Sequence, residues 1–331
     1  MSFSTAYTSC SQCPRKCGAN RAEGKKGFCG ESAELKAASA CLHFGEEPLV
    51  TVFGGSGAIF FTGCTLHCAF CQNYQISQQG MGAEVTKDDF VKICLTLQDR
   101  GAENINLITG SHAIPLLADF IAEAKAKGVK IPFAWNSSAY ESVESLELLK
   151  GLVDIWLPDM KTLNPQMSAE LFQAADYPSV CKRAIRWMIA NSPLCIEEKK
   201  KGSETREKIK SGVIIRHLFL PGRMEDTILT LDWLKAHADS KACISLMSQY
   251  TPVPFHDRKS SLAAFQNRLV NKEEDKTLRE LIDSYCFEYL FYQDLSDDTD
   301  WLPDFERIQP FSNALARPVW HWKNGFNMQD L

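Results

Sequence analysis

The stretch Gly63-Cys64-Thr65-Leu66-His67-Cys68-Ala69-Phe70-Cys71-Gln72-Asn73 follows directly on the apolar run Ala58-Ile59-Phe60-Phe61, which reads as a strand. Its spacing is Cys-x3-Cys-x2-Cys. Three thiolates so close wrap one face of a cubane iron–sulfur cluster, because cysteine thiolate is the preferred ligand of those irons. Three ligands leave one iron without a protein ligand. That position is open to a substrate or cofactor, as is the fourth position of a catalytic zinc. The competing reading is structural zinc, with His67 or a distant cysteine as fourth ligand; such sites usually come as paired doublets with four protein ligands.

Downstream of this stretch, short β-type runs alternate with helical segments. The further strands are Ile105–Ile108, Ile131–Ala134, Ile155–Leu157, Val213–Ile215 and Ile244–Leu246. Between them, Thr86 caps a helix that Gly101 stops, and Leu116, Leu117, Phe120, Ile121 and Ala124 recur at helical spacing. Ser142 opens a short helix ended by Gly151. Further helices fall near 168–174, 179–190, 227–237 and 272–284. The charged run Glu197–Lys210 reads as a solvated loop or insertion, and Tyr289-Leu290-Phe291 is a late apolar run. Repeated strand–helix units imply parallel strands with right-handed crossovers. Polar groups follow every strand at the same end: Cys64, Thr109-Gly110-Ser111-His112, Asn136-Ser137-Ser138, Asp159 with Lys161, Arg216-His217 and Ser248-Gln249-Tyr250. An active site on a barrel is assembled in this way. Six units are too few to close an eight-unit barrel, so the expected fold is α/β, an open partial (β/α)6 barrel.

Composition narrows the class. The chain has 331 residues, 45% hydrophobic and 23% charged, as an ordinary folded protein has. Its 36 Lys+Arg against 41 Asp+Glu give a net charge of −5, which argues against a general nucleic-acid binder. No apolar run approaches the ~18 residues of a membrane span, and Met1–Cys10 has neither a basic nor an apolar signal region. The expected compartment is the cytoplasm, with no nucleic acid and no membrane as partner.

Thirteen cysteines suit a reducing compartment and metal chemistry better than a disulfide framework. Cys41, Cys94, Cys181, Cys195, Cys243 and Cys286 are scattered, and most are expected to behave as small buried hydrophobes. Residues 1–56 read as a Cys-rich metal-binding module and linker, 57–254 as the barrel and 255–331 as a C-terminal extension packing on it. Within the module, Cys10-x2-Cys13-x3-Cys17-x11-Cys29 is a closed set of four thiolates. It holds either zinc, the commoner occupant of closed four-cysteine sites, or an auxiliary [4Fe-4S] cluster. Cys41 and His43 follow close in sequence as substitute ligands. In the extension, Trp301, Trp320 and Trp322 cap the barrel, pack a core or bind a partner, with core packing favoured.

Cys-x3-Cys-x2-Cys with an aromatic just before the last cysteine resembles the signature of radical S-adenosylmethionine (SAM) enzymes. Ile59–Cys64, Cys71–Tyr74, Asn104–Leu107, Ile215–Leu218, Leu220-Pro221-Gly222 and Met247–Tyr250 resemble the PflX-like branch, homologues of the pyruvate formate-lyase activating enzyme. The resemblance implies a [4Fe-4S] cluster on Cys64, Cys68 and Cys71, with SAM chelating the fourth iron. It implies reductive cleavage of SAM to a 5′-deoxyadenosyl radical that abstracts hydrogen, so that the cofactors carry the chemistry and the protein positions them. Phe70 matches the aromatic near the adenine. Thr109, Gly110 and Ser111 stand where activating enzymes carry Gly-Gly-Glu for the methionine amino group; the Glu is missing here. Asn136 and Ser137 match the loop near the ribose, Asp159 and Lys161 an Asp-x-Lys in which the lysine pairs with a carboxylate of SAM. Gln249 or Tyr250 matches a ribose or carboxylate contact. Arg216 and His217 either bind an anionic substrate or satisfy the barrel rim.

The resemblance leaves the substrate open. One reading is activation of a glycyl radical enzyme as protein partner. The alternative is direct action on a peptide or small metabolite. Either needs a flavodoxin- or ferredoxin-like electron donor. A non-catalytic metal-binding or electron-transfer protein is a third reading, which loss of a cluster cysteine would support; all three are present.

Overall fold

In the computed structural model, which describes residues 3–253, 259–295 and 302–326, the strand–helix alternation becomes one mixed sheet. Its strands are β1 (Lys36–His43), β2 (Ser56–Phe61), β3 (Ala83–Glu84), β4 (Ile105–Ile108), β5 (Phe133–Ser137), β6 (Ile155–Pro158), β7 (Cys195–Lys201), β8 (Glu204–Leu218), β9 (Cys243–Met247), β10 (Leu290–Gln293), β11 (Ala316–His321) and β12 (Gly325–Phe326). The helices are α1 (Phe3–Thr8), α2 (Tyr74–Ser77), α3 (Lys87–Asp99), α4 (Ile114–Ala126), α5 (Val143–Leu146), α6 (Pro165–Phe172), α7 (Tyr177–Asn191), α8 (Met224–His237) and α9 (Lys272–Tyr285).

Strands β2, β4, β5, β6, β8, β9 and β10 are parallel neighbours in chain order. A doubly wound sheet reverses its strand order at a switch point. This order never reverses, so the crossover helices fall on one face and the sheet curls into a partial barrel. All six expected strands are present. The Tyr289–Phe291 run adds a seventh, β10, through the crossover helix α9.

Alternation along each strand divides the residues between two environments. Ile59, Phe61, Ile105, Leu107, Phe133, Trp135, Val213 and Ile215 pack against helix residues such as Phe90, Leu117, Ile185 and Leu234. Ala58, Phe60 and Ile108 join one inner cluster, and Ala134, Ile155, Leu157, Ile214 and Cys243 another. The helix ends follow local chemistry: Thr86 and Asp89 form a reciprocal capping box at the start of α3, and Gly101 reverses the chain beyond its end at φ +89°.

Two expectations shift. The charged run Glu197–Lys210 is a β-ribbon, β7 against the first half of β8, not a loop. It lacks the apolar alternation that marks a strand, so nothing in its pattern signals pairing. Main-chain bonds hold it, and Lys199 and Lys208 both close on the buried Glu103. The third strand runs two to three residues later than expected, because Pro132 has no N–H to give the ladder. Asn136 and Ser137 are therefore the last residues of β5 rather than loop residues.

The sheet ends on antiparallel strands from both termini. β1 pairs with β2 and with β11. Trp320 is buried on β11, and the Trp322 indole donates to the Phe305 carbonyl at 3.0 Å; Trp301 lies outside the described residues. Among the scattered cysteines Cys41, Cys94, Cys181 and Cys243 are buried, whereas Cys195 and Cys286 are exposed. No helix among the described residues is long and apolar enough to cross a membrane.

Candidate active site at the carboxyl ends of the strands

The cysteine loop leaves the end of β2 through a tight turn. Gly63 has φ +88°, and a Cβ there would stand 2.6 Å from Glu31 Cγ and 2.9 Å from the Cys29 carbonyl oxygen. His67 is also left-handed, at φ +53°. Cys64 and Cys68 are buried and Cys71 is partly so. The Leu66 N–H donates to Cys64 Sγ at 3.3 Å, and Cys71 Sγ lies 3.3 Å from Ser77 Oγ. Burial, reinforced by the neighbouring Cys64 sulfur, pushes the Cys71 thiol up to about 11. The Cys68 thiol is raised further by burial, against the pull of Lys161. Thiols so placed ionise only when a positive centre compensates them. Among the described residues no three His, Cys, Asp or Glu side chains converge tightly enough for a single metal ion. The donor set suits an iron–sulfur cluster, whose irons spread their ligands over several positions.

The other expected residues surround this loop. Asp159 and Lys161, just past β6, form an ion pair at 2.7 Å. Burial alone would lower the lysine, but Asp159 and the Cys68 and Cys71 sulfurs outweigh it and hold Lys161 above its ordinary value. Asn136 accepts the Thr109 N–H on its carbonyl at 2.9 Å, and the Ser137 carbonyl accepts the Asp159 N–H at 2.8 Å. The main chain thus ties the ends of β4, β5 and β6 into one rim. Thr109 has φ +63°, a strained conformation for a β-branched residue. Beside it, Gly110 is packed so closely that a Cβ would stand 2.6 Å from Leu117 Cδ1.

Phe70 sits in an aromatic group, its ring centroid 6.1 Å from Phe172, 6.1 Å from Tyr250 and 5.9 Å from Phe265. Gln249 turns away, its Oε1 accepting from Gln293 at 3.2 Å. Tyr250 is therefore the residue that the end of β9 presents to the cysteine loop.

Two buried charged groups stand here that no sequence motif marks. Glu141 is 2% exposed; its Oε1 accepts from Ser111 Oγ at 2.5 Å and from the Trp135 indole at 3.4 Å. Its Oε2 is buried without a hydrogen-bond partner. Arg21 is also 2% exposed and donates to the Ser32 carbonyl, to the His112 carbonyl at 2.7 Å and to Cys10 Sγ at 3.8 Å. Neither belongs to a local motif. His112 is kept neutral by burial and by Arg21, its pKa lowered to about 3.

Arg216 is committed inside the barrel. It donates from Nε to Glu47 Oε1 at 2.7 Å, from Nη2 to Glu47 Oε2 at 2.6 Å, and to Glu46. His217 is held between the Met160 carbonyl and Thr227 Oγ1 at 2.7 and 3.0 Å. Of the two roles open to this pair, structural satisfaction is the one observed. Cys41 and His43 lie toward the far end of β1, where His43 pairs with Ser56 and meets Phe311 edge to face, ring centroids 5.2 Å apart. They do not approach the amino-terminal thiols.

A sequential parallel partial barrel with a three-cysteine loop after its first parallel strand defines a class of cluster-dependent enzyme. The family model of the radical SAM superfamily matches residues 58–234, and the chain belongs to that superfamily. The family implies a [4Fe-4S] cluster and SAM. The chain is 29% identical over 293 residues to the uncharacterized protein MJ0674 of Methanocaldococcus jannaschii, covering 86% of this chain and 77% of that one. It is 28% identical over 131 residues to a pyruvate formate-lyase-activating enzyme of Listeria monocytogenes, covering 37% of this chain and 53% of that enzyme. Among solved structures, methylornithine synthase (PylB) aligns with a TM-score of 0.47 at 12% identity, over 71% of this chain and 70% of that one.

Proposed function

We propose that the chain reductively cleaves SAM at the Cys64–Cys68–Cys71 loop and abstracts hydrogen from a protein partner, in the manner of the activation of a glycyl radical enzyme. The observation that carries the reading is the three-thiol loop, held on a strained turn at the carboxyl end of β2 and ringed by the ends of β4, β5 and β6. When bound, the cluster and SAM supply one-electron cleavage and a carbon radical. The chain's residues do the rest. Cys64, Cys68 and Cys71 hold three irons. Lys161, oriented by Asp159, takes the SAM carboxylate as a point charge. Main-chain groups of Thr109, Gly110 and Ser111 take the methionine amino group in place of the missing Glu. Asn136 and Ser137 meet the ribose; Gln249, turned toward Gln293, does not take part. Phe70, backed by Phe172, Tyr250 and Phe265, packs on the adenine and excludes water.

The partial match to activating enzymes supports a glycyl-radical partner of the PflX-like kind. The departure from Gly-Gly-Glu favours the second reading, direct action on a peptide or small metabolite. The test is anaerobic reconstitution, dithionite reduction with SAM, and assay of 5′-deoxyadenosine, with Cys68→Ala as control. Product that vanishes in the variant supports the enzyme reading; absence of product from a protein carrying zinc on its thiols sinks it. A persistent glycyl signal in a co-expressed partner separates activation from direct turnover.

A further inference from the structure

The amino-terminal cysteine module and the cysteine loop are in direct main-chain contact. The Cys64 N–H donates to the Cys29 carbonyl at 3.2 Å, so the last cysteine of one set touches the first of the other. Phe28 stacks on His67 with centroids 4.9 Å apart, and Arg15 donates to the Thr65 carbonyl at 2.8 Å. We propose that Cys10, Cys13, Cys17 and Cys29 bind a [4Fe-4S] cluster that relays electrons to the centre on Cys64, Cys68 and Cys71.

Three observations build the site. First, Gly27 lies directly against two of the thiols, which brings Cys17 and Cys29 together. A Cβ on Gly27 would stand 3.2 Å from Cys17 Sγ and 3.5 Å from Cys29 Sγ. Second, Arg21 buries a full positive charge against this group. It donates to Cys10 Sγ, and among the described residues no carboxylate lies within ion-pairing distance of it. A buried guanidinium needs anionic partners; ligated thiolates provide them. Third, the group meets the Cys64 loop through the Cys29 carbonyl, a place for a redox-active occupant; zinc is redox-inert, an iron–sulfur cluster is not.

Position makes the site a relay. Cys17 is exposed, whereas Cys10, Cys13 and Cys29 are buried. Electrons enter at the Cys17 rim and leave by the Cys29–Cys64 peptide contact. A low-potential one-electron donor of the flavodoxin or ferredoxin class loses one electron. The amino-terminal cluster passes from the 2+ to the 1+ state and returns to 2+ as the centre at Cys64 is reduced from 2+ to 1+. No bond is made or broken and no proton moves.

The relay rests on the reading that the Cys64 loop holds a cluster, and the test separates the two. The full-length Cys64→Ala/Cys68→Ala/Cys71→Ala variant is reconstituted anaerobically and its metals counted. About four irons per chain is expected, against about eight in the wild type; one zinc and no iron overturns the proposal. If the Cys64 reading alone fails, the variant keeps all of the wild-type iron. Where that variant does not fold, Cys17→Ser in the otherwise intact chain is expected to lower the iron from about eight to about four, and unchanged iron overturns the proposal. Reduced wild type is expected to show an electron paramagnetic resonance spectrum broadened by coupling between two neighbouring clusters, replaced by a single uncoupled signal in either variant. Two additive, uncoupled signals in the wild type overturn the relay.

Discussion

Two regions of the barrel treat buried charge differently. In the barrel interior and at the amino end of β4, charge is matched by side chains. Arg216, level with Asp159 in the sheet, spans Glu46 and Glu47. Glu103 takes Lys199 and Lys208 and the N–H groups of Phe53 and Gly54. Around the cysteine loop Lys161 has Asp159, but Arg21 faces a thiol, one Glu141 oxygen has no partner, His112 is held neutral, and Thr109 is strained. One region is finished by the polypeptide; the other leaves groups for a ligand. Strain and unmatched polarity concentrate at functional sites because the surrounding fold can bear them.

The largest effect that would test this contrast is Cys68→Ala, which should reduce 5′-deoxyadenosine formation to background while the fold persists in circular dichroism. Next comes Arg216→Met, which leaves two buried carboxylates uncompensated. It should cost about 3–5 kcal/mol in urea unfolding, with iron content unchanged; normal stability with lost iron would break the division between the two regions. Glu103→Gln should cost about 2 kcal/mol at neutral pH. Burial raises the Glu103 pKa, but Lys199 and Lys208 outweigh it and hold the folded value below the ordinary one. The contribution is thus present above the unfolded carboxyl pKa and lost as pH falls through the lower folded value. The unfolding curves of wild type and variant should converge in acid; a constant gap across pH would show that the carboxylate charge is irrelevant. The smallest effect is Thr109→Gly, which releases the left-handed strain and should stabilise the chain by about 1 kcal/mol, while SAM binding measured by equilibrium dialysis stays unchanged because the main chain makes the contact. Lost affinity would give the Thr109 side chain a contact of its own.

What was legible in the sequence follows the same divide. The parallel strands are continuous apolar runs and the cysteine loop is a local motif, so both can be read without a fold. Arg21 and Glu141 cannot, because each acquires meaning only when segments distant in sequence meet: Arg21 against His112, Glu141 against Ser111. The β7–β8 ribbon escapes because its residues are charged on both faces. β1, Lys-Ala-Ala-Ser-Ala-Cys-Leu-His, is built of small residues that carry no clear period. Its place in the sheet is set by neighbours on either side, one of them near the end of the chain.

That last pairing bears on the order in which the molecule is made. β1 binds β2, its neighbour in sequence, on one side, but its other partner, Ala316–His321, is made only after all the parallel strands. Until then one edge of β1 stands open, a template for pairing with any other exposed strand. A chain halted before residue 316 would hold both cysteine sets and the parallel strands, yet carry that open edge permanently.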